Sequence, residues 1–183
     1  MKKDTLVQFV CFETSLELGE FSPQWEHFVK ESGHKKTVTT ILQQAITKTK
    51  FKFISLHKWP QDDFQFVFMK GRMSEHFPEV RVKVIQAGGY TPVQIQYKHD
   101  KDLDAVKIMV LINNSQTDIA SFVQLKTYRY LNIYQAYYES SLYSNILEYF
   151  VEETHAAELL QQLKNHAPGT EITMYRECLV PAL

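Results

Sequence analysis

Two histidines, a tryptophan and a tyrosine crowd into one stretch of this chain, KFKFISLHKWPQDDFQFVFMKGRMSEHFPEVRVKVIQAGGYTPVQIQY, running from Lys50 to Tyr97. His57 and His76 have the intrinsic pKa for moving a proton near neutral pH, as base, acid or hydrogen-bond donor. Trp59 stands two positions beyond His57, Phe64 and Phe68 lie between the histidines, and Tyr90 follows the pair Gly88-Gly89. Trp25 comes earlier, on a segment with helical spacing. A dry, aromatic-lined pocket with one imidazole as base is the chemistry these residue types could perform, with His57 and His76 catalytic and Trp25, Trp59, Phe64, Phe68 and Tyr90 holding the ligand. The plainer reading of the same residues is aromatic packing around a satisfied strand histidine and a loop histidine.

Other motifs narrow the choice. The chain has no Ser/His/Asp triad, HExxH, GxGxxG or Walker loop. Cys11 and Cys178 form no CxxC or metal-type spacing, so no metal site is expected and both read as free thiols of a reducing compartment. His27, two positions from Trp25, points away from it. His155 falls in the first turn of a helix, and His34, His99 and His166 fall in polar connectors. Tyr128, Tyr130, Tyr134, Tyr137 and Tyr138 read as barrel packing with their hydroxyls at the rim.

Composition sets the class. The chain has 183 residues, 44% hydrophobic and 13% aromatic, enough for a sizeable core. Lys and Arg number 20 against 21 Asp and Glu, so nothing favours nucleic acid as a partner. Gln8 and Glu13 interrupt the apolar run after Lys2 and Lys3, which therefore reads as a first strand and not a signal peptide. No segment reaches the ~20 apolar residues of a membrane span. The expectation is a cytoplasmic protein with no membrane partner.

The elements follow from periodicity. Leu6 to Glu13 reads as a strand buried on both faces. Ser22 and Pro23 signal an N-cap and first helical position for a helix carrying Trp25, Phe28 and Val29 and ending near Gly33. Thr37 to Thr47 reads as a strand, although its Leu-Gln-Gln-Ala centre also tolerates a helix. In Phe51 to Trp59, Phe51, Phe53, Ser55, His57 and Trp59 share one face. Asp62 or Asp63 then caps a helix with Phe64, Val67 and Phe68 on one stripe, while the alternation of Phe64, Phe66 and Phe68 also allows a strand. Val80 to Ala87 is a strand continuing, through a bend or bulge at Gly88-Gly89, as Thr91 to Tyr97.

After the charged connector HDKDLD, from His99 to Asp104, the order of elements repeats. Val106 to Ile112 is a strand, Thr117 or Asp118 caps a helix through Phe122, Leu125 and Tyr128, and Ile133 to Leu142 and Asn145 to Glu153 are strands. Thr154 caps a helix through Leu159, Leu160 and Leu163 that ends near Pro168-Gly169, and Glu171 to Val180 closes the chain of elements. Each half is β-α-β-β-α-β, the ferredoxin-like order. The predicted fold class is α+β: two tandem ferredoxin-like units, 1–98 and 105–183, whose antiparallel sheets cover each other's bare faces as an α+β barrel with helices outside. Strand edges and the apolar extension Thr91 to Tyr97 make a homodimer plausible.

This order, with Leu56-His57-Lys58-Trp59, Asp62-Asp63-Phe64 and Ser74-Glu75-His76-Phe77, resembles the dimeric α/β-barrel superfamily and within it the antibiotic-biosynthesis-monooxygenase-like group. The resemblance covers about a quarter of the chain at motif level and all of it at the level of element order. It implies cofactor-free oxygenase chemistry or proton transfer on an activated ring, with no cofactor. Haem-degrading members carry a first-strand Asn, a Trp in the second helix and a His near that helix's end. His76 is close to that His, but Val67 or Phe68 stands at the Trp position and the first strand has no Asn. Relatives resembling chlorite dismutases take an axial His from the first helix of the second unit, and residues 117–130 contain none. The expected function is binding of a small apolar or aromatic molecule, with cofactor-independent monooxygenation as the reaction; the alternative is a non-catalytic structural or interaction protein of the same fold.

Overall fold

From Leu6 to Phe12 nearly every side chain is large and apolar, and such a run can be buried only if both faces of its strand are covered. The computed structural model, which describes residues 5–31, 39–60, 77, 79–94, 105–113, 117–125, 127–139 and 141–178, covers both. The run lies in β1 (Thr5–Thr14). Val7, Phe9 and Cys11 belong to one buried cluster, while Val10 and Phe12 belong to another with the helix α1 (Leu18–Glu31).

The remaining elements are β2 (Thr39–Ala45), β3 (Phe53–Pro60), β4 (Val82–Gln94), β5 (Ala105–Ile112), α2 (Ile119–Val123), β6 (Tyr130–Ala136), β7 (Asn145–Glu152), α3 (Glu153–His166) and β8 (Glu171–Cys178). The strands close a barrel in the order β1-β3-β2-β8-β5-β7-β6-β4. Every neighbouring pair is antiparallel. The ring contains one ordering twice: β4-β1-β3-β2 and then β8-β5-β7-β6, each reading fourth, first, third, second along its part of the chain. The joints are β2 with β8, Leu42 opposite Cys178, and β4 with β6, Tyr90 opposite Ala136. Among the described residues each strand has a neighbour on either side.

Alternation sends one set of side chains into the lumen and the other outward. The lumen holds Phe9, Leu56, Tyr90, Met109, Tyr134 and Tyr175 among others. Outside, α1 covers the first strand set and α3 with α2 covers the second. Cys11 in the lumen and Cys178 on β8 are both free thiols. Burial pushes the Cys11 thiol far up and that of Cys178 to about 11.

The lumen is not wholly apolar. Glu148 on β7 is buried there, and its carboxylate accepts from Gln43 Nε2 at 3.2 Å, Asn132 Nδ2 at 3.1 Å and the Tyr134 hydroxyl at 3.1 Å. Lys107 Nζ lies 3.3 Å from Glu148, 3.2 Å from Glu177 and 5.0 Å from the centre of the Phe150 ring. Gln43 comes from the first strand set and the others from the second, so the carboxylate ties one set to the other. Tyr134 therefore puts its hydroxyl inside the barrel, not at the rim, whereas Tyr137 and Tyr138 are exposed.

Several boundaries differ from expectation. Helix α1 begins at Leu18, so Ser22 and Pro23 lie inside it. The Glu20 carboxylate reaches back to the Glu17 backbone N–H at 3.2 Å, half of a capping box, and starts the helix a turn early. At α3 the N-cap is Glu152 and not Thr154, with no side-chain capping bond. Helix α2 is capped by Asp118, whose Oδ1 accepts the Ala120 N–H at 3.0 Å, but it stops at Val123 instead of running through Tyr128. The Tyr128 hydroxyl donates to the Val123 carbonyl at 3.0 Å, satisfying an end the helix would otherwise have extended. Strand β6 then starts and ends earlier than expected, at Tyr130 and Ala136, because Tyr137 N–H already bonds the Gly89 carbonyl at 2.9 Å as the chain turns. The helix or strand read at Asp62 to Lys70 lies outside the described residues.

The bend at Gly88-Gly89 is present. Opposite Phe9 and Val10 the β4 register shifts by one residue, and beyond Tyr90 the strand passes from β1 to β6. Gly88 has φ +126°, a conformation side chains rarely adopt, and a Cβ there would stand 2.5 Å from Ser141 Oγ and 2.8 Å from Ser141 Cβ. Gly88→Ala is therefore expected to cost about 1–3 kcal/mol, read as a lower urea midpoint. Adding Ser141→Gly should restore only the steric share. An unchanged midpoint for Gly88→Ala would show that neither constraint is felt.

Candidate functional site

Cross-strand partners in a sheet share a face, so the register alone assembles a polar row on the outward side of β1, β3 and β2. His57 lies opposite Gln8 on β1 and Thr40 on β2; Leu6 faces Trp59 and Leu42 faces Ser55. Period-two alternation along β3 brings Ser55, His57 and Trp59 to the same side. Ser55, His57 and Gln8 are fully buried and Trp59 nearly so.

The contacts are short and specific. His57 Nε2 is 2.6 Å from Ser55 Oγ, and Nδ1 is 3.3 Å from Thr40 Oγ1. Trp59 Nε1 donates to Gln8 Oε1 at 3.1 Å. A hydroxyl can donate or accept, so Ser55 and Thr40 can support either tautomer of the imidazole and follow it through a change of protonation.

Next along this face the row gives way to aromatic packing under α1. Phe21 stacks on Phe53 with centroids 4.1 Å apart and planes 1° from parallel; Phe12 meets Phe21 edge-on at 5.1 Å. Trp25 is 2% exposed within the same cluster. Its indole N–H has no hydrogen-bond partner among the described residues.

Of the residues singled out by sequence, His57, Trp59 and Trp25 lie on this side of the sheet. Tyr90 does not. It is opposite Val7, faces the lumen, and has its hydroxyl 2.9 Å from the Ala87 carbonyl and 3.1 Å from that of Tyr143, either of which can accept its one proton. Burial pushes its phenol well above the ordinary range. His76, Phe64 and Phe68 lie outside the described residues. Gln8, Thr40 and Ser55 were not picked out as site residues; Ser55 could have been, since it shares the His57 face, but Gln8 and Thr40 become visible only once the strand register is known.

Elsewhere, His27 is exposed and His155 Nδ1 lies 3.7 Å from Glu152 on α3. His166 Nε2 is 2.7 Å from Ser121 Oγ at an open cleft of about 430 Å3, walled also by Ile112, Asp118, Phe122 and Thr170. That cleft contains no tryptophan, unlike the pocket the sequence suggested. Among the described residues no three His, Cys, Asp or Glu side chains gather as metal ligands.

No protein-family model and no curated protein matches this chain. Solved structures do. One, described as a "putative monooxygenase" from Lactobacillus acidophilus NCFM, is 10% identical, with a TM-score of 0.50, covering 95% of this chain and 94% of its own. Another, described as a "putative chlorite dismutase", is 8% identical, with a TM-score of 0.54, covering 96% and 95%. The likeness is one of fold. The chain is an α+β barrel similar in fold to these two structures. Helix α2, Ile-Ala-Ser-Phe-Val, carries no histidine. No described helix is long and apolar enough to cross a membrane.

Proposed function

We propose that the chain is a tandem pair of ferredoxin-like units, residues 1–98 and 105–183, and that the first binds a small apolar or aromatic molecule between α1 and its sheet. The duplicated strand order supports the first statement. The second rests chiefly on His57, a fully buried imidazole 2.6 Å from a serine hydroxyl on a face roofed by aromatic side chains. The reaction best suited to this setting is cofactor-independent monooxygenation. His57, or His76 from the neighbouring segment, takes a proton from an activated ring carbon, and the dry aromatic surroundings keep the carbanion from being quenched by water. The carbanion gives its electrons to dioxygen as a carbon–oxygen bond forms, the imidazolium returns its proton to the peroxide, and loss of water leaves a carbonyl. Overall, CH2 and O2 become C=O and H2O.

The test uses the whole chain with anthrone-type phenolic substrates under air, following oxygen uptake. His57→Ala, folded by circular dichroism, is expected to lower turnover by roughly 100-fold or more, the share general base catalysis supplies. His76→Ala is run beside it to divide the role. Turnover unaffected in both variants removes both histidines from the mechanism. Absence of turnover and of ligand binding in the unmodified chain would instead favour the structural reading, for which the hydroxyl contacts of His57 are ordinary satisfaction of a buried ring.

A further inference from the structure

Ser121 and His166 are 45 positions apart in the chain, and the fold brings them together at the open cleft of about 430 Å3. All of its described walls come from residues 112–170, so it shares nothing with the face that carries His57. Its volume is within the range of small-ligand pockets, toward the lower end. His166 Nε2 lies 2.7 Å from Ser121 Oγ, and the imidazole stands edge-on to Phe122, ring centroids 4.8 Å apart, which holds it facing the hydroxyl. The hydroxyl has one proton and a second acceptor in reach, the Asp118 carbonyl at 2.7 Å. When the imidazole carries its own proton on Nδ1, Nε2 is free to accept that of the serine, and the two form a nucleophile and its base.

Two hydrogen-bond donors share the cleft. The side-chain amide of Asn113 makes no hydrogen bond with another described residue. Gly169, at φ +85°, leads the chain out of α3, and its N–H donates to no other described residue. The buried residues Ile112 and Phe122 give the cleft an apolar floor.

We propose that this cleft is a second active site, an acyl-transfer site that hydrolyses esters of short-chain carboxylic acids, with Ser121 as nucleophile and His166 as general base. The serine oxygen attacks the ester carbonyl carbon while its proton passes to Nε2. The Asn113 amide and the Gly169 N–H meet the negative oxygen of the tetrahedral intermediate. The bond to the alcohol oxygen then breaks, and the departing alkoxide takes the proton back from the imidazolium. Water repeats the sequence on the acyl-serine, releasing the acid and restoring the hydroxyl. Ester and water become acid and alcohol, with nothing oxidised or reduced. The apolar floor receives the short acyl chain, and the open side of the cleft leaves room for the alcohol.

The experiment treats the full chain with p-nitrophenyl acetate, following nitrophenolate release and mapping the acetyl group by peptide mass. An acetyl adduct on Ser121 is expected, with turnover above the buffer blank. Ser121→Ala should abolish the adduct, and His166→Gln should lower kcat roughly 100-fold or more with little change in KM. Asn113→Ala should lower kcat by roughly 100-fold, as loss of an oxyanion donor does. These side chains are at least partly exposed, so the variants are expected to fold, which circular dichroism checks. Acetylation only at a lysine or at Cys178, turnover that survives Ser121→Ala, or release no faster than the blank would each overturn the proposal, leaving the Ser121 proton committed to the Asp118 carbonyl and His166 as its packing neighbour.

Discussion

Replacing Glu148 with alanine is expected to lower stability by about 3–5 kcal/mol, because it leaves the buried Lys107 ammonium with only the half-exposed Glu177 carboxylate and strands the buried donors that converged on Glu148. The two side chains are 3% and 8% exposed, and three further donors converge on the same carboxylate. Urea unfolding of the variant measures the loss. Lys107→Met added to Glu148→Ala should recover part of it, since the double variant buries no lone charge; a loss under ~1 kcal/mol in the single variant would mean that water reaches the pair. Acid gives an independent reading. Burial alone would raise the Glu148 pKa, but the Lys107 charge and the donors from Asn132, Gln43 and Tyr134 outweigh it and hold the carboxyl below its ordinary value. A carboxylate with a depressed folded value contributes fully above its unfolded pKa of about 4.3, and that contribution is lost as pH falls through the folded value. The intact protein should therefore lose stability below about pH 4 more steeply than the Glu148→Ala variant does. Lys107 sits on the opposite limb: burial lowers its pKa, Glu148 and Glu177 more than restore it, and its net raised value places the loss at strongly alkaline pH.

Phe21→Ala should cost a comparable amount, about 3–5 kcal/mol, and should do so locally. Phe21 is fully buried, stacked on Phe53 at 4.1 Å and edge-on to Phe12 at 5.1 Å, so it joins α1 to both β1 and β3. Removing the ring opens a cavity under the helix that roofs the candidate site. Amide hydrogen exchange is expected to show α1 losing protection before the strands of β5 and β7, whose outer face is covered separately by α2 and α3. Phe21→Leu should retain most of the protection. Uniform loss across both strand sets would instead mean that the barrel opens as one unit.

How much of this could be read from the sequence depends on whether the signal was local. Strands β1, β5 and β7 stand within about two residues of their expected limits, since β-branched and aromatic runs bounded by turns are short-range patterns. Helix ends were less legible. Ser22-Pro23 is a good start signal, yet the Glu17–Glu20 contact a turn earlier prevailed, and nothing local announced that Tyr128 would fold back on Val123. On the candidate face, Ser55, His57 and Trp59 follow from parity along one strand. Gln8 and Thr40 required the pairing of distant segments. Tyr90 illustrates the limit: the one-residue register shift at Phe9 and Val10 reverses the parity of β4, and so turns the tyrosine toward the lumen, away from the imidazole it was grouped with. The lumen carboxylate had no sequence signature at all, because Glu148 sits in an otherwise unremarkable strand and finds Gln43 only when the ring is complete.

Strand β8 follows the other seven along the chain, yet its place is between β2 and β5. On a ribosome, therefore, the earlier strands must wait with a gap in their circle until this segment emerges, and the apolar lining stays accessible for that interval. Contacts so distant in sequence make for slow maturation. The interval is when a chaperone would find the most to hold, and when a truncated or stalled nascent chain would be at greatest risk of clumping with its neighbours.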